Sequence, residues 1–335
     1  MIVDLPNTTT AGVSKALVKI REEGGAVALG RVLTLVIAAE SGREEEAIEA
    51  ANDASREHPM RVIVISHDED SRSDTAPRVD GQIRVGGDAG ASEVVVLRAF
   101  GEAASHEETL VTGLLLPDAP VVAWWPGVAP DVVSQSPIGR IATRRITDAS
   151  TQPNPLGFLN HLSSTYAPGD TDFAWTRLTL WRAQLAAVLD QPPYEPVIGV
   201  EVHGAEDSPS TALLAAWLGL QLEVPVSHEV SIRATGSSGI HAVRLVRRSG
   251  IIELDRPEGN IATLEQPGKP THDVSLPRRS LRDCLAEELR RLGPDDLYGD
   301  VIRRGLPRLR GPVHVDAEPI GAGASVATPS KGGQS

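Results

Sequence analysis

Two arginines and two tryptophans share the run Trp175-Thr176-Arg177-Leu178-Thr179-Leu180-Trp181-Arg182. A guanidinium presents forked donors that match carboxylate or phosphate, and Trp and Arg are enriched where protein interfaces concentrate their binding energy. The chemistry on offer is therefore anion binding or docking on a partner. A second aromatic pair, Trp124-Trp125, is followed at once by Pro126-Gly127, which leaves two large rings at the end of an apolar run. Asp170-Thr171-Asp172 could hold a cation, although its side-chain oxygens are better suited to capping a helix start.

Motifs for bond-making are missing. No GxGxxG follows a strand and no GxxxxGK[ST] occurs, so neither common phosphate-cradling loop is present. The nearest glycine-rich stretch, Gly24-Gly25 with Gly30, precedes the first strand and reads as a helix stop. His106-Glu107-Glu108 starts like a zincin helix, but Leu110 stands where the second histidine belongs. There is no CxxC and no GxSxG, the histidines form no close pair at metal spacing, and Asp68-Glu69-Asp70 reads as a solvated loop. The sequence nominates no catalytic, cofactor-binding or metal-ligating residue, and no cofactor is expected. Catalytic triads assemble across distant sequence, so these absences argue only against catalysis by motif.

The elements that must position these residues follow from periodicity. One helix is predicted from Asp170 to Leu189, capped by its aspartates, with Ala174, Leu178, Trp181, Leu185, Val188 and Leu189 in one apolar stripe. Arg177 and Arg182 flank that stripe on opposite sides, with Trp175 on the side of Arg182. This pattern fits a core helix with two solvated arginines, and it also fits a surface that meets a partner or an anionic ligand.

Upstream, a first helix spans Thr8 to Glu23. Strand Leu33–Ala39, helix Arg43–Glu57 and strand Arg61–Ser66 then make a βαβ unit, which implies parallel pairing and a right-handed crossover. Further strands are expected over 82–86, 93–99, 121–125 and 141–147, with helices over 102–116 and 155–166. Ligands collect at the C-terminal ends of parallel strands, which makes Trp124 and Trp125 candidate surface or pocket residues. Strand alternation would equally send either ring into the core.

Downstream, strands are expected over 197–202, 229–234, 240–246 and 251–255, with helices over 209–222, 281–292 and 295–303. Gly236-Ser237-Ser238-Gly239 and Ser249-Gly250 are hairpin-type turn signals, so the later strands should form an antiparallel meander. The fold class expected is α/β with two domains. Residues 1–160 form a mostly parallel sheet with flanking helices, and residues 161–305 a mixed α+β domain with the meander. Residues 306–335, rich in Gly, Ala, Ser, Thr and Pro, are predicted to be disordered.

Composition limits the partners. A formal charge of −13 opposes binding to nucleic acid. The clusters Arg144-Arg145, Arg247-Arg248 and Arg303 to Arg310 read as solvated surface, with an anion or acidic-partner site as the alternative. Cys284 stands alone, so no intramolecular disulfide can form, and its place among Leu281, Leu285, Leu289 and Leu292 predicts a buried small hydrophobe. No apolar run approaches the roughly 20 residues of a membrane span. The start MIVDLPNTTT has no basic segment followed by an apolar core. A cytoplasmic protein with no membrane partner is expected.

The run from Trp175 to Arg182, preceded by Asp170-Thr171-Asp172, resembles the most characteristic segment of the glucose-6-phosphate dehydrogenase assembly proteins, the OpcA family. Pro120-Val121-Val122-Ala123-Trp124-Trp125-Pro126-Gly127 is similar to the family's other distinctive run, and the likeness extends from about Gly24 to about Arg304. The resemblance implies a non-enzymatic protein that binds glucose-6-phosphate dehydrogenase and promotes its active oligomer. On that expectation Trp175, Arg177, Arg182, Trp124 and Trp125 are the candidate partner-binding residues. The rival expectation is an α/β enzyme or sensor that grips a sugar phosphate with Arg177 and Arg182. Redox switching through cysteines, discussed for some relatives, would need an intermolecular thiol partner for Cys284.

Overall fold

Strands that read as continuous runs of branched apolar residues form the centre of the molecule, because a parallel sheet is covered on both faces. The structure is a computed structural model that describes residues 1–24, 30–40, 42–67, 76–86, 93–230, 239–256, 259–309 and 313–314. The Asp68-Glu69-Asp70 loop, the Gly236-Ser237-Ser238 turn, positions 231–234 of an expected strand and the tail beyond His314 lie outside the described residues.

The chain opens with β1 (Ile2–Leu5), α1 (Thr10–Gly24), β2 (Leu33–Glu40), α2 (Glu44–Ala54) and β3 (Met60–His67). It continues through β4 (Arg78–Val85), β5 (Glu93–Phe100), α3 (Glu107–Thr112), β6 (Val121–Trp124), α4 (Pro137–Ile141) and β7 (Arg144–Thr147). Next come α5 (Pro155–Thr165) and β8 (Asp170–Asp172). Among the described residues these strands form one sheet in the order β1-β4-β5-β3-β2-β6-β7-β8. From β5 to β8 every neighbour is parallel, while β1 and β4 add an antiparallel edge.

The rest of the chain supplies α6 (Phe173–Thr176), α7 (Thr179–Leu189), β9 (Gly199–Gly204), α8 (Pro209–Leu222) and β10 (Val226–Val230). After it come β11 (Ile240–Arg247), β12 (Gly250–Asp255), β13 (Ile261–Glu265), β14 (His272–Ser275), α9 (Leu281–Arg290), α10 (Asp296–Asp300) and β15 (Val313–His314). The second sheet runs β14-β13-β12-β11-β9-β10-β15 among the described residues. The expected meander is present from β11 to β14, but β10 pairs parallel to β9 instead of joining it. Order also continues past residue 305, through a helical turn at Leu306–Arg308 and the pairing of β15 with β10.

Two corrections concern the segment around the tryptophans. Asp170 to Leu189 is a short strand followed by two helices, not one helix. Arg145, Ile146 and Thr147 of β7 pair with Asp170, Thr171 and Asp172, and Asp172, the last residue of the strand, also caps α6. Its carboxylate accepts from the Ala174 amide at 2.8 Å, from the Ala149 amide at 2.9 Å and from Thr147 Oγ1 at 2.6 Å. Arg144 and Arg145, expected in solvent, are 3% and 7% exposed. Buried guanidiniums require paired charge, and here Arg144 donates to Glu288 of α9 while Arg145 donates to Asp170.

Period-two alternation in β2 divides its side chains between two cores. Leu33, Leu35, Ile37 and Ala39 pack with Ala47, Ile48 and Ala51 of α2 and with Cys284, Leu285 and Leu289 of α9. Val36 and Ala38 face the other way, into an apolar core that continues through Trp175 and Leu213 to Val243 of the second sheet. A helix from the last third of the chain thus covers the first sheet, and one core runs through both halves.

Candidate functional site

Arg177 stands between two clefts at the junction of the halves and lines both of them together with Ser150. It lies just after α6, where Asp172 fixes the helix start, and it reaches back to Asp148 at the end of β7. The pairing is bidentate, at 2.8 and 2.6 Å, and Asp148 also accepts from the Ser150 amide at 3.1 Å. Burial alone would lower the pKa of this guanidinium, but the hydrogen bonds and charge of Asp148 outweigh it and raise it. Asp172 behind this pair is pushed up to about 6 by burial and by the charge of Asp148, against the hydrogen bonds it accepts.

The first cleft, about 440 Å³, lies where strand order reverses between β2 and β6, the usual ligand crevice of an open α/β sheet. Its lining includes Glu40 at the end of β2, Glu46 of α2, Pro126-Gly127 after β6 and Asp148 after β7. The first turn of α2 carries Glu44, Glu45 and Glu46, which already complement the positive end of the helix. The lining also holds Arg43 and Arg177, the latter paired with Asp148, so the crevice is of mixed charge and has no glycine-rich turn. The second cleft, about 410 Å³, is basic, with Arg177, Arg256, Arg278 and Arg279 around the N-terminal turn of α8.

The expected site residues are not brought together as one surface. Trp124 is fully buried, tilted against Phe173 at 5.6 Å, and Trp175 is 1% exposed. Trp125 is 4% exposed and reaches only the floor of a third cleft beside Val128 and Pro130. Alternation in β6 sends Trp124 and Trp125 into opposite cores, so neither ring is free at the strand end as the Trp-Trp-Pro-Gly run suggested. Trp175 donates through Nε1 to Asp295 at 2.9 Å, with Tyr298 packed at 5.9 Å and the Arg182 guanidinium 3.8 Å above its ring.

Arg182 lines neither of the two clefts beside Arg177, so the two arginines do not make the paired phosphate grip considered from sequence. Arg182 Nε is buried without a hydrogen-bond partner among the described residues, and burial lowers its pKa. Sequence reading missed Arg256, Arg278 and Arg279. The dibasic pair directly before the Ser280–Asp283 capping box was a readable signal for the last two. Nothing local marks Arg256, which is placed by the meander.

Among the described residues no group of three or more His, Cys, Asp or Glu could hold a metal ion, and no helix is long and apolar enough to cross a membrane. Comparison with curated proteins gives no match. Solved structures with similar backbones include a 3-ketoreductase from Actinomadura kijaniata in complex with NADP, 10% identical, covering 85% of this chain and 100% of that one at a TM-score of 0.43. An oxidoreductase from Sinorhizobium meliloti is 11% identical over 82% of this chain and 95% of that one, with a TM-score of 0.43. Glucose-6-phosphate 1-dehydrogenase from Mycobacterium avium is 11% identical over 85% and 94%, with a TM-score of 0.38. Likeness at this level carries no argument about chemistry. Two family models match the chain in order, both describing a glucose-6-phosphate dehydrogenase subunit: its N-terminal domain over residues 51–164 and its C-terminal domain over residues 168–302. With both domains matched in succession, the chain belongs to the OpcA family of glucose-6-phosphate dehydrogenase assembly proteins.

Proposed function

We propose that this protein is a non-enzymatic subunit that binds a glucose-6-phosphate dehydrogenase and favours its active oligomer, serving the oxidative pentose phosphate pathway as an allosteric activator. The observation that carries the reading is the ordered match of both family domains across residues 51–164 and 168–302. The crevice between β2 and β6 carries no glycine-rich phosphate turn and opens on the acidic first turn of α2, which is compatible with this reading. Activation of this kind needs differential affinity, because a partner that binds both states of an oligomer equally shifts nothing.

The contact we propose is the face carrying Arg177 and Arg182. Trp175 lies under Arg182, while Trp124 and Trp125 pack into opposite cores, and none of the three touches the partner in this reading. Such a face would give a polar docking surface with one aromatic ring, Trp175, beneath Arg182. Light scattering on a mixture of the two pure proteins tests the reading. A dehydrogenase oligomer of greater mass, containing this chain, is expected. Unchanged mass, together with conversion of a phosphosugar by this chain alone, would favour the enzymatic alternative.

A further inference from the structure

We propose that the basic cleft between Arg256, Arg278 and the N-terminus of α8 is a binding site for a small phosphate monoester. Arg256 is the central observation. It is 5% exposed, its Nε is buried with no hydrogen-bond partner among the described residues, and no described carboxylate acts on its charge. Its two Nη atoms donate to the Leu276 and Ile240 carbonyls at 3.0 and 3.3 Å, and its guanidinium lies 5.1 Å from the Trp181 ring. These contacts hold the group in place without neutralising it. Burial and the neighbouring charge of Arg278 pull Arg256 down to about 10, as for a cation with no counter-charge among the described residues.

A buried charge of this kind is costly unless an anion completes it. The other groups in the cleft favour the same ligand. Arg177 and Arg279 are already paired with Asp148 and Glu287, so they shape the cleft and add little net charge to it. The N-cap Ser208 and the first-turn Ser210 of the fourteen-residue α8 line the cleft, their hydroxyls engaged with the Thr211 amide and the Ala174 carbonyl, and the positive end of the helix dipole points there. A volume of about 410 Å³ exceeds what inorganic phosphate fills, and Asp207 and Ser150 on the lining offer hydrogen-bond partners for hydroxyl groups. Phosphate with a small polyhydroxyl body attached is the chemistry that matches.

Calorimetric titration of the full chain tests this, with inorganic phosphate, a hexose 6-phosphate and the unphosphorylated hexose as separate probes. Saturable binding of the ester at millimolar or lower concentration is expected, with weaker binding of inorganic phosphate and none of the hexose. Arg256→Gln should weaken ester binding by on the order of tenfold or more, the size of one charge-assisted hydrogen bond. Should Arg256→Gln fail to fold, Arg278→Ala at an exposed position carries the test, with a loss of about threefold or more expected at an unchanged melting temperature. No saturable binding of either phosphate probe overturns the proposal. So does an affinity that a folded Arg256→Gln and Arg278→Ala both leave unchanged.

Discussion

Arg177 and Arg182 have the same side chain but different jobs in this molecule. Arg177 neutralises Asp148, which is 2% exposed, so Arg177→Ala strands a buried carboxylate. A loss on the order of 3 kcal/mol is expected, seen as a lower denaturant midpoint. Arg182 stacks on Trp175 without an ion-pair partner among the described residues, and Arg182→Ala should cost only about 1 kcal/mol of stability. If this face docks on the dehydrogenase, Arg182→Ala weakens the complex with little change in the melt; an equal affinity in a binding titration would remove Arg182 from the interface. Cys284 is fully buried, and burial pushes its thiol up to about 12, so it stays protonated and shielded. A thiol reagent should leave the native protein unlabelled and modify one cysteine after denaturation. Prompt labelling of the native chain would contradict this packing. The burial of Cys284 was legible from its leucine neighbours, whereas the burial of Arg144 and Arg145 was not. Their partners, Glu288 and Asp170, lie up to 144 residues away in sequence.

At the scale of elements, the strongly periodic or apolar segments were readable. Leu33–Glu40, Glu44–Ala54, Met60–His67, Glu93–Phe100 and Pro209–Leu222 all fall where the sequence placed them. The failures are short or edge elements with little pattern: β1, β13 and β14 went unseen, and the 102–116 helix is a turn followed by the six-residue α3. The break at Asp170–Asp172 was hidden because helix capping and edge-strand pairing use the same residues. One cluster ties the sheet to its surroundings at the start of β5. Glu93, 1% exposed, receives Arg61 at 2.8 Å, Arg21 at 2.7 Å and Arg31 at 3.5 Å. Burial would raise its pKa, but these three guanidiniums hold it below the ordinary 4.5. A depressed carboxylate pKa contributes stability above the ordinary value and loses it as pH falls. Glu93→Gln should therefore cost about 3–5 kcal/mol near neutral pH, because Arg61 is left buried beside a neutral group. The deficit should shrink as the medium is acidified below about 4.5. A deficit that stays constant from neutral to acid in denaturant titrations would show that the cluster does not act through charge.

The whole molecule is held as one body by the crossing of its parts. α9 lies on the first sheet against α2, and the core that contains Trp175 runs on into the second sheet. If the proposed docking role holds, this interlock would supply the fixed surface it needs. The fold class and its two sheets were legible from strand patterning. The roles of the tryptophans were not, because a rare aromatic motif marks either a surface or the packing beneath it. Under the proposed function this protein changes another enzyme's quaternary state and makes no bonds itself. The most direct test adds increasing amounts of the chain to a fixed, limiting amount of glucose-6-phosphate dehydrogenase and follows specific turnover and oligomer mass in the same samples. Turnover that rises in step with the larger species and saturates at a fixed ratio of the two proteins is the predicted result. Turnover and mass that both stay flat through a large excess of this chain would contradict the account.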